Sequence, residues 1–205
     1  MELEKLLDTA DHLKAFVLRA TLLSNGRSPF VIAMRTDRAW AANEWRQYAS
    51  VTAGSVARVG SILKLRFLGK PQERAAYFVE ARRRARAAED LFLDPDVGLE
   101  PCSGQPGAKH VSIQELDGLL AGSPGRAIGF YQHNFPNCGC KCSLERCGYV
   151  NHVVDRIVHS GRGLRAVGFW GGPSSIVFAT RCRSREQEIR HALQDVAGEM
   201  RIRVW

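Results

Sequence analysis

The order of strand and helix signals after residue 126 constrains the fold more than any other feature of the sequence. Four apolar runs have the length and composition of short strands: 127–131, 164–170, 175–180 and 201–205. Helical spacing of apolar residues at 150–159, and a capping pattern at Ser184 and Gln187, predict two intervening helices. The resulting order, β-α-β-β-α-β, is that of a ferredoxin-like unit.

The first half of the chain predicts a mixture of helices and strands. Helices are expected at 2–23 and 72–92, around a helix that carries Trp40, Trp45 and Tyr48 as core residues. Strands are expected at 30–34 and 61–68. Prolines and glycines predict a linker at 94–108, and Ser112 with Glu115 predicts the capped start of a helix at 113–121. We therefore expect an α+β protein with an N-terminal α/β domain (1–93) and a ferredoxin-like domain (109–205).

A cysteine cluster, Cys138, Cys140, Cys142 and Cys147, lies on the predicted loop after the first strand of that unit. Zinc takes four tetrahedral thiolate or imidazole ligands, and a structural zinc ion can hold together a loop with few apolar side chains. We expect Cys138, Cys140 and Cys147 to bind zinc in a structural site. The fourth ligand stays open among three residues: Cys142, His133 and His152. An iron–sulfur cluster, disulfides and unligated thiols are the alternatives.

No catalytic motif was found in the sequence, and no small-molecule substrate is indicated. The zinc deaminase pattern lacks its glutamate, and no nucleophile elbow, Walker loop or dinucleotide fingerprint occurs. A cysteine nucleophile with a histidine base stays open as an alternative, with Cys102 and His110, or Cys147 and His152, as the pairs.

The charge of the chain favours acidic partners. Its formal net charge is +8, from 29 basic and 21 acidic residues. Two arginine groups are the candidate binding residues for a partner or for nucleic acid: Arg82, Arg83, Arg84 and Arg86, and Arg181, Arg183, Arg185 and Arg190. In the nucleic-acid alternative, Phe130, Tyr131 and Phe178 stack bases on the sheet. Short apolar runs and an acidic start predict no membrane partner and an intracellular location, cytoplasmic or nuclear.

Three segments of the second half resemble the zinc-binding regulatory protein of the adenovirus early region four. They are 98–103 followed by 113–115; 138–140 followed by 143–147; and Arg181-Cys182 followed by Arg185, Arg190, Ala192, Ala197 and Glu199. That family consists of viral, non-enzymatic adaptors that bring host proteins to a cullin ubiquitin ligase. The resemblance implies zinc binding by Cys138, Cys140 and Cys147, and a place for the basic helix at 184–200 in an interaction surface.

The sequence therefore predicts a zinc-stabilised regulatory or adaptor protein that binds another macromolecule, with a protein as the expected partner. A basic nucleic-acid-binding zinc protein is the second hypothesis, and a cysteine-dependent enzyme is the third.

Overall fold

The computed structural model describes residues 9–22, 29–34, 40–52, 62–63, 71–88, 90–102, 107, 109–134, 146–171 and 174–200. Within these ranges lie six α-helices: α1 (Thr9–Thr21), α2 (Ala42–Thr52), α3 (Pro71–Arg84), α4 (Ile113–Leu120), α5 (Arg146–Val158) and α6 (Arg183–Met200). The same ranges contain eight strands: β1 (Phe30–Ala33), β2 (Ile62–Leu63), β3 (Leu91–Asp94), β4 (Gly98–Leu99), β5 (His110–Val111), β6 (Ala127–His133), β7 (Arg165–Trp170) and β8 (Ser174–Thr180).

One mixed sheet of six strands forms the centre of the described structure, in the order β2-β1-β3-β6-β8-β7. The first four strands of that order run parallel, and β8 pairs antiparallel with both β6 and β7. Strands β4 and β5 form a separate parallel pair. The predicted α+β class is confirmed, and strands from both predicted domains lie in the same sheet.

Helices cover both faces of this sheet. Strand β8 alternates between two apolar clusters, with Val177 and Ala179 in one and Ile176 and Phe178 in the other. The first cluster includes buried side chains of α3, α4 and α5, and the second includes those of α1, α2 and α6. The described residues therefore form three layers, with the sheet in the middle.

The segment predicted to be ferredoxin-like has the expected element order as far as α6. Its two helices, however, pack on opposite faces of the sheet, since Val153 and Ile157 of α5 lie in one cluster and Ile189 and Leu193 of α6 lie in the other. A ferredoxin-like unit places both helices on one face. The last predicted strand, 201–205, lies outside the described residues.

Two other sequence predictions differ from the structure. The helix predicted at 72–92 ends at Arg84, a 3-10 turn follows at Ala85–Ala87, and Leu91–Asp94 is a strand inside the sheet. The segment predicted as a linker contains β4 and lies against Gln132, whose Oε1 accepts a hydrogen bond from the Leu99 N–H at 2.7 Å. Pairing with β1 and β6 supplies Leu91–Asp94 with backbone hydrogen bonds on both sides, which favours a strand there over another helical turn.

The predicted aromatic core and helix cap are confirmed. Trp40, Trp45 and Tyr48 are buried, and the two tryptophan ring centroids lie 5.0 Å apart. Ser112 caps α4, because its hydroxyl accepts the Glu115 N–H at 3.1 Å while the Glu115 carboxylate accepts the Ser112 N–H at 2.8 Å. Among the described residues, no helix has the length and apolar character needed to span a membrane.

Candidate zinc site and arginine groove

Cys102 and His152 are in contact where the segment after β4 meets α5. The Cys102 Sγ lies 3.0 Å from the His152 Nε2, although the two residues are 50 positions apart in the sequence. Cys102 is exposed and follows β4, whereas His152 is half-buried on the second turn of α5. The contact therefore joins the segment after β4 to α5.

Arg156 holds the backbone before Cys102 against α5. Its guanidinium donates to the carbonyl oxygens of Glu100 at 2.5 Å and Pro101 at 3.3 Å. The Glu100 side chain in turn accepts the Ile113 N–H at the start of α4, at 3.0 Å. These bonds fix the segment from both helices and direct the Cys102 thiol towards His152.

The backbone at Gly98, in the segment that leads to Cys102, lies very close to the Gln132 side chain. Gly98 has φ +129°, and a Cβ at this position would overlap the amide of Gln132. That amide accepts the Leu99 N–H and donates to the Val97 carbonyl oxygen at 3.3 Å. Glycine is the residue that tolerates both the backbone conformation and the contact, so it places the chain for the turn towards Cys102.

The environment of His152 favours a neutral imidazole. Burial lowers its pKa, and the neighbouring positive charge of Arg156 lowers it further. A neutral imidazole has one nitrogen lone pair that can bind a metal or accept a proton. His152 therefore has the protonation state that both the zinc hypothesis and the cysteine-enzyme hypothesis need.

The other predicted zinc ligands have different outcomes. Cys138, Cys140 and Cys142 lie outside the described residues, and Cys147 falls in the first turn of α5 with its side chain outside them. His133 ends β6, where its Nδ1 lies 3.3 Å from the Tyr131 hydroxyl. Within the part of the chain that the structure describes, no three His, Cys, Asp or Glu side chains form a group that could hold a metal ion.

The cysteine–histidine contact that the structure forms is neither of the predicted pairs, and the Cys147 side chain of the predicted Cys147–His152 pair lies outside the described residues. Cys102 contacts His152, while His110 lies beside Arg74, which donates to the His110 carbonyl oxygen at 2.8 Å. The His110 Nδ1 is buried and has no hydrogen-bond partner within the described ranges. Burial and the charge of Arg74 both lower the pKa of His110. The Cys102–His110 pair is therefore replaced by Cys102–His152.

A second candidate site is a groove between α3 and α4, which we call the arginine groove. Its volume is about 430 Å³, and the described residues that line it are Val79, Arg82, Arg83, Arg86, Gly118, Leu119, Gly122 and Arg126. Four of these are arginines, and none is acidic. The volume lies within the ~300–1,000 Å³ typical of binding pockets.

The predicted arginines of α3 divide into two kinds. Arg83 and Arg84 both bind Glu80, at 2.7 and 2.6 Å. Hydrogen bonds from Arg83 and then Arg84 lower the pKa of Glu80 to about 2, so this carboxylate stays charged at neutral pH. Arg82 and Arg86 are exposed and form no ion pair with any described residue. The positive charge that is available to a partner here comes mainly from Arg82 and Arg86.

The arginines predicted near α6 are mostly engaged within the protein. Arg181 pairs with Asp117, and Arg190 pairs with Glu186 at 3.2 Å. Arg185 is 4% exposed and pairs with the fully buried Asp90 at 2.6 Å, so its prediction as a partner-binding residue is wrong. Arg183 is exposed at the first position of the helix.

The aromatic residues proposed to stack bases lie under the helices. Phe130, Phe178 and Tyr131 are 0%, 1% and 4% exposed. Since helices cover both faces of the sheet, these rings are core residues. That part of the nucleic-acid hypothesis is therefore wrong.

Arg126 is a site residue that the sequence did not indicate. It is 3% exposed, and its guanidinium donates to the carbonyl oxygens of Leu119 at 2.8 Å and of Ala85 and Ala88 at 2.7 Å. Its Nε is buried without a hydrogen-bond partner in the described structure. Burial lowers the pKa of Arg126. A lone arginine before a strand has no sequence signal that distinguishes it from a surface residue.

Comparison of the chain with protein-family models, curated proteins and solved structures finds no match.

Proposed function

We propose that the protein is a zinc-stabilised, non-catalytic adaptor that binds another macromolecule inside the cell. The observation that carries the zinc part of this proposal is the contact of Cys102 with His152 beside the start of α5. Cys147 lies on the same helix, and the other predicted cysteine ligands immediately precede it in the sequence. A thiol and an imidazole from distant parts of the chain thus meet on α5, the helix that follows the cysteine-rich segment in the sequence.

The geometry of this pair suits a shared zinc ion. Tetrahedral zinc with typical Zn–S and Zn–N bonds separates the sulfur and nitrogen by about 3.6 Å. The Cys102 and His152 atoms are 3.0 Å apart, so a small rotation of one side chain accommodates the ion. We propose Cys102 and His152 as two ligands, with the remainder from Cys138, Cys140, Cys142 and Cys147.

Such a site has a structural role. Ligands from the segment after β4, from the cysteine-rich loop and from α5 would be held together by one ion, and closed four-ligand zinc sites stabilise folds without catalysis. Arg156 already holds the Glu100 and Pro101 backbone on α5, so the first of these segments is in place. The zinc-binding loop is thus proposed to hold the surface of the α4–α5 layer in a fixed shape.

One observation also favours a second function, that of a cysteine-dependent enzyme. A thiol 3.0 Å from a neutral imidazole has the distance required of a nucleophile and its general base. The Cys102 thiol is exposed, as a nucleophile must be. Zinc coordination and nucleophilic activation make opposite predictions for the reactivity of this thiol, and alkylation distinguishes them.

The experiment is alkylation of the purified full-length protein with iodoacetamide, followed by peptide mass spectrometry, before and after addition of a zinc chelator. A zinc ligand at 102 is protected until the chelator is added, whereas an activated nucleophile reacts rapidly in both conditions. Cys182 is the internal control, because it is a free cysteine whose pKa is lowered by hydrogen bonding to Ser184 and the Arg185 backbone. Rapid alkylation of Cys102 without chelator would contradict the zinc proposal.

The adaptor part of the proposal rests on the exposed arginines and on the resemblance to the adenovirus adaptors, from which we further propose a host ubiquitin-ligase component or its target as partner. Its test is a pull-down from cell extract at low and high salt. Protein partners that survive high salt support an adaptor. Recovery of nucleic acid alone, lost steeply as salt rises, would support the nucleic-acid alternative instead.

A further inference from the structure

We propose that the arginine groove between α3 and α4 is the docking site for an acidic segment of a partner protein that also inserts an apolar side chain. The inference deepens the proposed adaptor function and rests on it. Three features of the groove carry the proposal: its charge, its aliphatic floor and the two glycines that keep it open.

The charge of the groove is largely uncompensated. One carboxylate, Glu80, serves both Arg83 and Arg84, so Arg82 and Arg86 keep their charges open to solvent. Both acidic residues of α4 are already paired, Glu115 with Arg74 and Asp117 with Arg162 and Arg181. Carboxylates of a partner would therefore find guanidinium groups that are not already paired within the described structure.

Buried Arg126 adds positive charge at the base of the groove. Its hydrogen-bond partners are the carbonyl oxygens of Leu119, Ala85 and Ala88, which are neutral. Asp90, the carboxylate whose charge acts on Arg126, is already paired with Arg185, so an anion placed above Arg126 lowers the electrostatic cost of burying its charge. Arg126 thus favours an acidic occupant without needing to touch it.

The apolar surface in the groove favours a peptide over nucleic acid as its occupant. Val79 lies on the outer side of α3 and is 56% exposed, although large aliphatic residues are mostly buried in this fold. Val79 and Leu119 form an aliphatic floor, and none of the described lining residues is aromatic. Single-stranded nucleic acid binds on aromatic platforms, whereas an aliphatic pocket rimmed by arginines suits an acidic peptide with a leucine or similar side chain.

Two glycines of the α4 region keep the groove open. A Cβ on Gly118 would come within 2.9 Å of the Arg82 Nη1, so the Arg82 guanidinium extends across the groove to α4. A Cβ on Gly122 would meet nothing within 4 Å, so the groove is empty beside this residue. A large side chain at 122 can therefore fill the groove without disturbing the core.

The test uses fluorescence polarisation of the full-length protein with three labelled probes. The first is a short glutamate peptide with leucines one helical turn apart, the second has serine in place of leucine, and the third is a single-stranded DNA oligonucleotide. The variants are R82E/R86E, which reverses the open charges, and Gly122→Trp, which fills the groove. R19E/R46E is the control for charge, since Arg19 and Arg46 are exposed on α1 and α2, which pack on the opposite face of the sheet.

We expect the leucine peptide to bind more tightly than the serine peptide by a factor of roughly ten or more, because a buried leucine adds apolar contact. R82E/R86E and Gly122→Trp should each weaken that binding by more than about ten-fold, while R19E/R46E should change it by less than about two-fold. Equal binding of the leucine peptide by the wild type and both groove variants would overturn the proposal. So would DNA that binds the wild type more tightly than the peptide does and is lost in both variants. If the groove variants lose peptide binding while Cys102 stays protected from alkylation, the loss is due to the groove and the zinc proposal is unaffected.

Discussion

Replacing Arg185 with alanine is expected to destabilise the fold severely, in contrast to a residue that binds a partner. The guanidinium is 5% exposed and the Asp90 carboxylate is 0% exposed, and their closest atoms are 2.6 Å apart. Asp90 also accepts the Ala127 N–H at 2.7 Å, so the pair joins α6 to the start of β6. Removal of Arg185 leaves a buried carboxylate without its cation.

Loss of one partner of a buried ion pair costs about 3–5 kcal/mol, which for a chain of this size lowers the melting temperature by roughly 6–20 °C. The contact of Arg185 with Glu188 adds little, because that carboxylate is 56% exposed. The assay is urea unfolding monitored by circular dichroism, with Arg183→Ala as the matched control on the same helix. That exposed control should change the free energy of unfolding by less than about 0.5 kcal/mol.

A double substitution completes the experiment. D90N/R185M removes both charges, and should cost less than R185A because no unpaired charge remains buried. With the single variants D90N and R185M, the double substitution completes a cycle, and its departure from additivity measures the coupling between the two residues. A loss below about 1 kcal/mol for R185A would refute the structural role of Arg185 and restore it as a surface-binding candidate.

Three further predictions concern other parts of the molecule. Burial and Arg74 lower the pKa of His110, so the unfolded state takes up a proton at a higher pH than the folded state. The free energy of unfolding should therefore fall as the pH drops below about 6.5, and it should fall less in H110N. Urea titration at about pH 7.5 and 5.5 measures both. Gly168→Ala should cost about 1–3 kcal/mol, since its Cβ would overlap Val150, and Val150→Ala should recover part of that loss. Ser112→Ala should cost about 1 kcal/mol in thermal unfolding by loss of the α4 cap.

Local signals predicted most elements of the second half, because the strands there are apolar runs bounded by turns and the α4 cap has a defined pattern. The end of α3 was not predictable in this way. The segment Leu91–Asp94 follows a helix-favouring stretch rich in arginine and alanine, and its strand conformation depends on pairing with β1 and β6. Long-range pairing of this kind is not encoded in local periodicity.

The sequence contained a signal for the three-layer arrangement, although the order of helices and strands favoured a two-layer fold. Strand β8 contains four consecutive apolar residues, 176–179, and all are buried. Continuous apolar character is typical of a strand covered on both faces, which the two-layer ferredoxin-like prediction did not provide. In the candidate site, the contact of Cys102 with His152 depends on Arg156 and on the conformation of Gly98, neither of which marks a site in the sequence.

The zinc content of the purified full-length protein tests the central claim most directly. Native mass spectrometry and elemental analysis of the same sample should find one zinc ion per chain, and Cys102→Ser should reduce that occupancy and the thermal stability, because it removes a proposed ligand. Cys182→Ser, which removes a cysteine at the start of α6, should leave both unchanged. A stably folded wild type that contains iron or no metal would contradict the account.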